Sequence, residues 1–483
     1  MTEDQQTLDD RDLAAFWATA EKERASNPVA APSTFFERGD DVELGQDMAG
    51  QLGQQGEVVY TEGKVWAFNG LTWDAIEDEA LKKAAQAYAG MWCKQTRRGK
   101  TDTYRKMTLN SGAVSGIVAQ AKIYLFEGKF FQKAPVGAAF ASKFVRIDNG
   151  MVVAEPLTKD HRVKSDHAAT YDLPDCADEP PRTMQFLRDL WAGQEDVEER
   201  IRYILEWMGA ALLGISVQYK DTPLVVGEKD TGKSVLLSLI ASLFPVMSHR
   251  SVPLHSMSNE YHRAWLSGGR INFVNELPSR ELLDSESAKA ILSGDVVNCR
   301  RPHENPFEWK PRCGHCFAAN ELPPSRDNAL MERLVVLECL NVVPHELQDR
   351  TLPAQLAAEA PQLALLALLS AQNLLKRGYM VRPSSATETS AEWRLQSDPV
   401  WCWAKERLDV SGHESVTTGG KELYHDFERW ASDNGHTKMS STRFGVRLKA
   451  LKLDWRKSNG IRYLVVLKRP EAPKPAYRGW ADS

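Results

Sequence analysis

Eight consecutive residues, Gly227-Glu228-Lys229-Asp230-Thr231-Gly232-Lys233-Ser234, meet every fixed position of the phosphate-cradling pattern G-x-x-x-x-G-K-[ST]. Such a loop needs a strand to feed it and a helix to leave it. Both flanks are present: the short apolar run Thr222–Val226 reads as a buried strand, and Ser234–Phe244 reads as a helix. The small glycines let successive backbone N–H groups curl around phosphate oxygens, and the helix N-terminus adds partial positive charge in the same direction. Lys233 is then expected to reach the β- and γ-phosphates and the Ser234 hydroxyl to ligate Mg²⁺, so ATP and Mg²⁺ are the expected ligands of an α/β domain.

A chain of 483 residues exceeds one ordinary core, so roughly two to four domains are expected. Hydrophobic content of 42% and charged content of 26% are those of a soluble globular protein. With a net charge of only −5, nucleic-acid contacts must come from local basic surfaces. The first ten residues lack a basic and an apolar region of the secretory kind, and no apolar run is long enough for a membrane span. Seven cysteines without a regular framework suit reduced thiols. A cytoplasmic protein with no membrane partner is expected.

Composition along the chain divides it into a flexible tail over 1–38, with a short helix around Asp10–Arg24, and an α+β unit over 39–181. In that unit Val58–Trp73 reads as a meander with turns at Glu62-Gly63 and Asn69-Gly70, and Asp74–Gln95 as an amphipathic helix. A helical collar follows over 182–215, then the loop-bearing domain over 216–345 and a helical segment over 346–380. The Pro/Ser/Thr stretch from Arg382 to Ser390 marks a linker over 381–396 before a C-terminal unit over 397–470 and a tail over 471–483.

A second element of the domain is Arg270-Ile-Asn-Phe-Val-Asn275-Glu276, an apolar strand ending in a polar pair. It is expected beside the loop strand, with Glu276 activating the attacking water and Asn275 a second-shell group for the metal. A third strand, Cys316–Asn320, ends in an amide that can orient that water. Downstream, Arg333 is placed to act on the nucleotide of a neighbouring subunit, a contribution on the order of 10³ to 10⁵ in rate where such fingers operate.

Between the second and third strands, β-prone runs flank Pro302–Asn305 and read as a hairpin carrying basic groups, with Lys289, Arg300, Arg301 and His303 as candidate DNA contacts. Cys299, His303, Cys313 and Cys316 have the composition of a zinc site, but their C-x3-H and C-x2-C spacing matches no finger, and the hairpin accounts for them otherwise. This ordered set of loop, Glu-ended strand, basic hairpin, Asn-ended strand and Arg resembles a superfamily 3 helicase, in particular the helicase half of the phage, plasmid and poxvirus primase-helicase family. The resemblance spans about three quarters of the chain, with strong motifs only in the motor. It implies an AAA+-like motor, a homo-hexamer, a hairpin gripping DNA in a central channel, and 3′-to-5′ movement. Glu332-Arg333 stands where the family often has paired arginines. No polymerase module is visible, since Asp148 has no nearby acidic partner, so a separate primase is expected.

The C-terminal unit reads as helix, helix and hairpin. Leu423, Tyr424, Phe427 and Trp430 share a face of the first helix, Ser440 opens the second, and Asn459-Gly460 marks the hairpin turn. This order resembles a winged-helix domain. Lys438, Arg443, Arg447, Lys449, Lys452, Arg456, Lys457, Arg462, Lys468 and Arg469 stand against the single acid Asp454, an excess suited to phosphates, and Arg443, Arg447, Lys449, Lys452 and Lys457 are the candidate DNA contacts. The reading is an ATP-dependent ring helicase on single-stranded and duplex DNA. An ATP-switched origin-binding initiator or loader remains open, while a small-molecule kinase is disfavoured by the absence of a phosphoacceptor pocket.

Overall fold

The structure, a computed structural model, describes residues 32–95, 102–278, 286–323, 325, 327–409, 418–436, 438–451, 455–458, 461–464 and 467–468. The helix expected over 10–24, and the tail over 471–483, lie outside them. Helix α1 (Asp41–Gln55) begins on Asp40, whose carboxylate accepts from the Glu43 N–H at 2.9 Å. The antiparallel meander β1 (Val58–Thr61), β2 (Lys64–Phe68) and β3 (Trp73–Ile76) follows. Its first turn puts both Glu62 and Gly63 at positive φ, 51° and 79°, which is what a two-residue hairpin needs. The helix expected over Asp74–Gln95 is shorter: α2 covers Asp78–Gln86, the chain turns through Gly90 at φ +84°, and Trp92–Gln95 is strand β4, paired with β5 (Thr103–Lys106). The end of the expected tail joins in, since Phe36 exchanges backbone hydrogen bonds with Trp92 and Lys94. Helix α3 (Ser111–Tyr124) closes this unit over a core that includes Leu44, Met48, Tyr88 and Ile117.

Strands β6 (Gly137–Ala139), β7 (Lys143–Asp148) and β8 (Met151–Pro156) form a second small antiparallel sheet. Although the sequence groups them with the preceding unit, Phe140, Val145 and Leu173 share one core with the collar helices α4 (Pro181–Leu190) and α5 (Val197–Leu212). The 39–181 unit therefore does not keep one core of its own, because apolar side chains from its second half bury against the collar and the loop-bearing domain.

The loop-bearing domain is mixed α/β. Strand β9 (Thr222–Val226) leads to α6 (Lys233–Ser242), then come β10 (His249–Arg250), α7 (Glu260–Leu266), β11 (Ile271–Val274) and α8 (Glu286–Leu292). The antiparallel pair β12 (Val297–Cys299) and β13 (Phe307–Trp309) precedes β14 (Gly314–Ala319), α9 (Asn328–Met331) and β15 (Leu334–Glu338). Five strands form a parallel sheet in the order β10-β11-β14-β9-β15. Alternate residues serve opposite faces: Val225, Cys316, Ala318, Val335 and Leu337 join the core with the collar, whereas Leu224, Phe317, Ala319, Leu334 and Val336 join the core under α8. One expectation fails here. The Glu276 strand does not adjoin the loop strand, because β14 lies between them.

Inside the sheet, the fully buried Asn272 accepts from the Val252 N–H at 2.7 Å, donates to the Val252 carbonyl at 3.0 Å and donates to His315 Nδ1 at 3.3 Å. Burial depresses the His315 imidazole to about 3, so it is neutral and accepts at Nδ1.

Helices α10 (Leu352–Ala358) and α11 (Ala360–Arg377) come next; α11 crosses α5 so closely that a Cβ on Gly209 would lie 2.0 Å from the Ala367 carbonyl oxygen. The expected linker over 381–396 is instead largely helix α12 (Ser384–Ser397), docked on the loop-bearing domain. Thr389 Oγ1 donates to Glu338 Oε2 at 2.9 Å, and the buried Trp393 donates to the Pro323 carbonyl at 2.9 Å. This Ser/Thr-rich stretch is no tether: Ser385 bonds the collar, Thr389 the edge strand β15 and Trp393 the segment after β14.

The C-terminal unit comprises α13 (Pro399–Arg407), β16 (Leu408–Asp409), β17 (Thr418–Gly419), α14 (Gly420–Asp433) and α15 (Ser441–Ala450). Three short strands follow, β18 (Trp455–Ser458), β19 (Ile461–Leu464) and β20 (Leu467–Lys468). Val400, Trp403, Leu423, Phe427, Trp430, Phe444 and Leu448 make its separate core, and β18 pairs antiparallel with β19. No single described helix is long and apolar enough to cross a membrane.

Candidate functional site

The loop Gly227–Ser234 joins the C-terminal end of β9 to the N-terminus of α6. Gly227 sits where a Cβ would lie 2.2 Å from the Cys339 carbonyl oxygen, and Gly232, at φ +85°, caps α6; Asp230 is also left-handed at φ +64°. Glu228, Lys229 and Asp230 are exposed, while Thr231 is buried and donates to the Glu228 carbonyl at 2.8 Å. Lys233 lies largely buried inside the curl and donates to the carbonyls of Gly227 and Glu228 at 2.6 and 2.5 Å. Burial lowers its pKa, opposed by the charges of Glu276 and Asp230 nearby. Ser234 is exposed on the first turn of α6.

Because β14 separates β9 from β11, Asn320, the residue that follows β14, stands between the loop and the end of β11. Asn320 Nδ2 donates to Glu276 Oε1 at 2.9 Å, joining two side chains 44 residues apart. Both are exposed, as is Asn275, at the same end of the sheet as the loop. Hence one lysine, one carboxylate and one amide converge from three strand ends.

Arg333 is elsewhere. It precedes Leu334, which pairs with Thr222, whereas the loop follows Val226, which pairs with Glu338. A five-residue strand is roughly 16 Å long, so Arg333 lies at the far end of the sheet from its own loop. Its Nε donates to Ser293 Oγ at 2.7 Å, and a second nitrogen donates to the Ala329 carbonyl.

The basic hairpin is present as β12–β13, with His303 in its turn at φ +61°. Arg301 lies 4.7 Å from the Phe307 ring and 3.4 Å from Glu304, and Arg300 donates to the Glu304 carbonyl at 3.3 Å. Lys289 does not belong to this group. It sits on α8, paired at 2.8 Å with both Glu286 and Asp327, the residue that caps α9. In the C-terminal unit Arg443 and Lys449 are exposed on α15, but Arg447 is held 3.1 Å from Asp398, the cap of α13. Lys452, and the side chain of Lys457, lie outside the described residues.

Sequence reasoning missed a buried network. Arg200, 2% exposed, bonds Asp196 at 2.8 Å, the Glu338 carbonyl at 2.7 Å and Ser385 Oγ at 2.6 Å, clamping α5, β15 and α12 together. Arg382 likewise bonds Asp221, whose carboxyl burial pushes above its ordinary value against the pull of that guanidinium. For Asp196 and Arg200 the local signal was charge among otherwise apolar collar positions.

Residues 225–333, from the loop strand to Arg333, match the family of unknown function DUF5906. No curated protein matches. Two apo structures of the NrS-1 C-terminal region align with 89% of this chain and 100% of theirs, at 14% and 13% identity and TM-scores of 0.46 and 0.47. Likeness that distant leaves the functional reading to the site itself.

Proposed function

We propose that the chain is an ATP-dependent DNA helicase of a phage or other mobile element, similar to superfamily 3 helicases, working as a ring during replication. The observation that carries the reading is the convergence of Lys233, Glu276 and Asn320 at one end of the sheet, with a basic hairpin inserted between the strands that bear the last two. Lys233 exchanges its loop carbonyls for β- and γ-phosphate oxygens and neutralises their charge. Glu276 takes the proton of the attacking water through the oxygen not engaged by Asn320, and Asn320 fixes the direction of that carboxylate. The donors at the loop are oxygens, as a hard cation requires: Ser234 would ligate Mg²⁺, Asn275 would hydrogen-bond a ligand of the ion rather than the ion itself, and the ion would supply charge compensation.

Arg333, at the far end of the sheet from its own loop, is assigned in this reading a role in trans, across a subunit boundary of a homo-hexamer. The 297–309 hairpin, with Arg300, Arg301 and His303, then grips the strand, and the C-terminal unit, a winged helix in this reading, holds duplex DNA through α15. Priming falls to a separate primase. Strand displacement on forked DNA with ATP tests the proposal: the intact chain should unwind it and Lys233→Ala should not. Nucleotide-dependent DNA binding without displacement would favour the ATP-switched initiator instead.

A further inference from the structure

At the root of the hairpin, where it meets the first half of the chain, lies a cleft of about 430 Å³. Its walls come from distant stretches: the region after Phe130, the segment around Lys164, the residues before β11, and both sides of the hairpin stem. Phe131, Val296 and Trp309 provide apolar surface. Glu62, an acid on the rim, is already committed to Lys164 at 2.6 Å, and Lys164 also lies over the Phe131 ring at 4.7 Å. Lys310 and Arg312 line the cleft, are exposed, and make no hydrogen bond or ion pair to a described residue. Behind them Arg270, spending its donors on the carbonyls of Gly137 and Leu212, is lowered to about 10, by burial first and by the neighbouring Arg312 charge as well. Against these cations stands Glu308, so the cleft holds positive charge that an anion would relieve.

Resting on the DNA-motor reading above, we propose that this cleft takes one nucleotide of a single DNA strand, its base against Phe131, Val296 and Trp309 and its phosphates on Lys310 and Arg312. The volume lies in the range of small-ligand clefts and suits one mononucleotide unit. The same hairpin carries Arg301 and His303 at its tip, so a strand gripped there runs along the stem into the cleft. Single-stranded sites of this kind combine a cationic track with apolar faces for bases.

The test is fluorescence anisotropy of the full chain with labelled oligothymidylate and with blunt duplex, across a salt series, for wild type and the double variant Lys310→Glu/Arg312→Glu. Both positions are exposed, so folding should be preserved, and basal ATP turnover should be unchanged. Single-strand affinity should fall about tenfold or more, with the salt slope reduced by about 1.4, or 0.7 for each of two phosphates, while duplex binding holds. Wild-type single-strand affinity and slope in the variant would overturn the assignment, as would an equal loss on duplex. Full competition by free thymidine monophosphate at the oligonucleotide's own affinity would reassign the cleft to a free nucleotide. A wild-type chain that binds single strands and hydrolyses ATP while the variant is unaffected removes only the cleft; a wild type that does neither removes the motor reading as well.

Discussion

Ending the chain after Gly378 should unfold or severely destabilise the loop-bearing domain, whereas ending it after Ser397 should not. The difference is helix α12 and the residues leading into it. The shorter chain loses Trp393, buried at 2% exposure with its N–H on Pro323, a loss of the class that costs about 3 to 5 kcal/mol. It also strips Arg382 from the buried Asp221, leaving a carboxylate short of its partner at about 1 to 3 kcal/mol. Together these approach about 4 to 8 kcal/mol, comparable with the whole net stability of a domain. Ser385 and Thr389 go too, so Arg200 and Glu338 each lose a hydrogen bond. Thermal unfolding and basal ATP turnover of the two truncations provide the assay. A chain ending at 378 with the melting temperature and turnover of the chain ending at 397 would refute the claim that this segment is part of the motor.

Arg333→Ala should bind nucleotide but hydrolyse it poorly, and mixing it with Lys233→Ala subunits should restore some turnover, since one of the two orientations of a mixed boundary pairs an intact loop with an intact arginine; confirmed co-assembly with no recovery would exclude action in trans. Acid should weaken the fold through His315: its folded value near 3 lies below the ordinary 6.5, so the unfolded chain takes the proton first and stability falls as pH drops below about 6.5. At pH 5 this amounts to about 2 kcal/mol, and His315→Gln, which keeps an acceptor for Asn272, should show a flatter melting-temperature profile between pH 7 and 5 than wild type (~2 kcal/mol less loss).

What the sequence revealed was chiefly local. The loop was legible because its glycines serve backbone geometry within a few residues, as Gly227 against Cys339 and the left-handed Gly232 show. The hairpin was legible because its turn and strands are contiguous. Strand order was not, since placing β14 beside β9 depends on burial of both sheet faces rather than on any neighbouring residue. Arg447 looked available for phosphate because its partner, Asp398, is 49 residues away; for Lys289 the far partner Asp327 was hidden by 38 residues, although Glu286 stands only three residues before it. Trp393 was the overlooked signal in the supposed linker: a tryptophan among small polar residues usually has a core to enter, and here it does.

The most direct measurement of the central claim is ATP binding and ATP turnover, with and without DNA, for wild type and Glu276→Gln. The substitution keeps the shape and the Asn320 contact but removes the base. Wild type should hydrolyse ATP faster when DNA is present, and Glu276→Gln should bind ATP with wild-type affinity while turnover drops by about 10² to 10⁴. Wild-type turnover in Glu276→Gln, or loss of nucleotide binding in a folded variant, would contradict the assignment of this sheet end as a hydrolytic site.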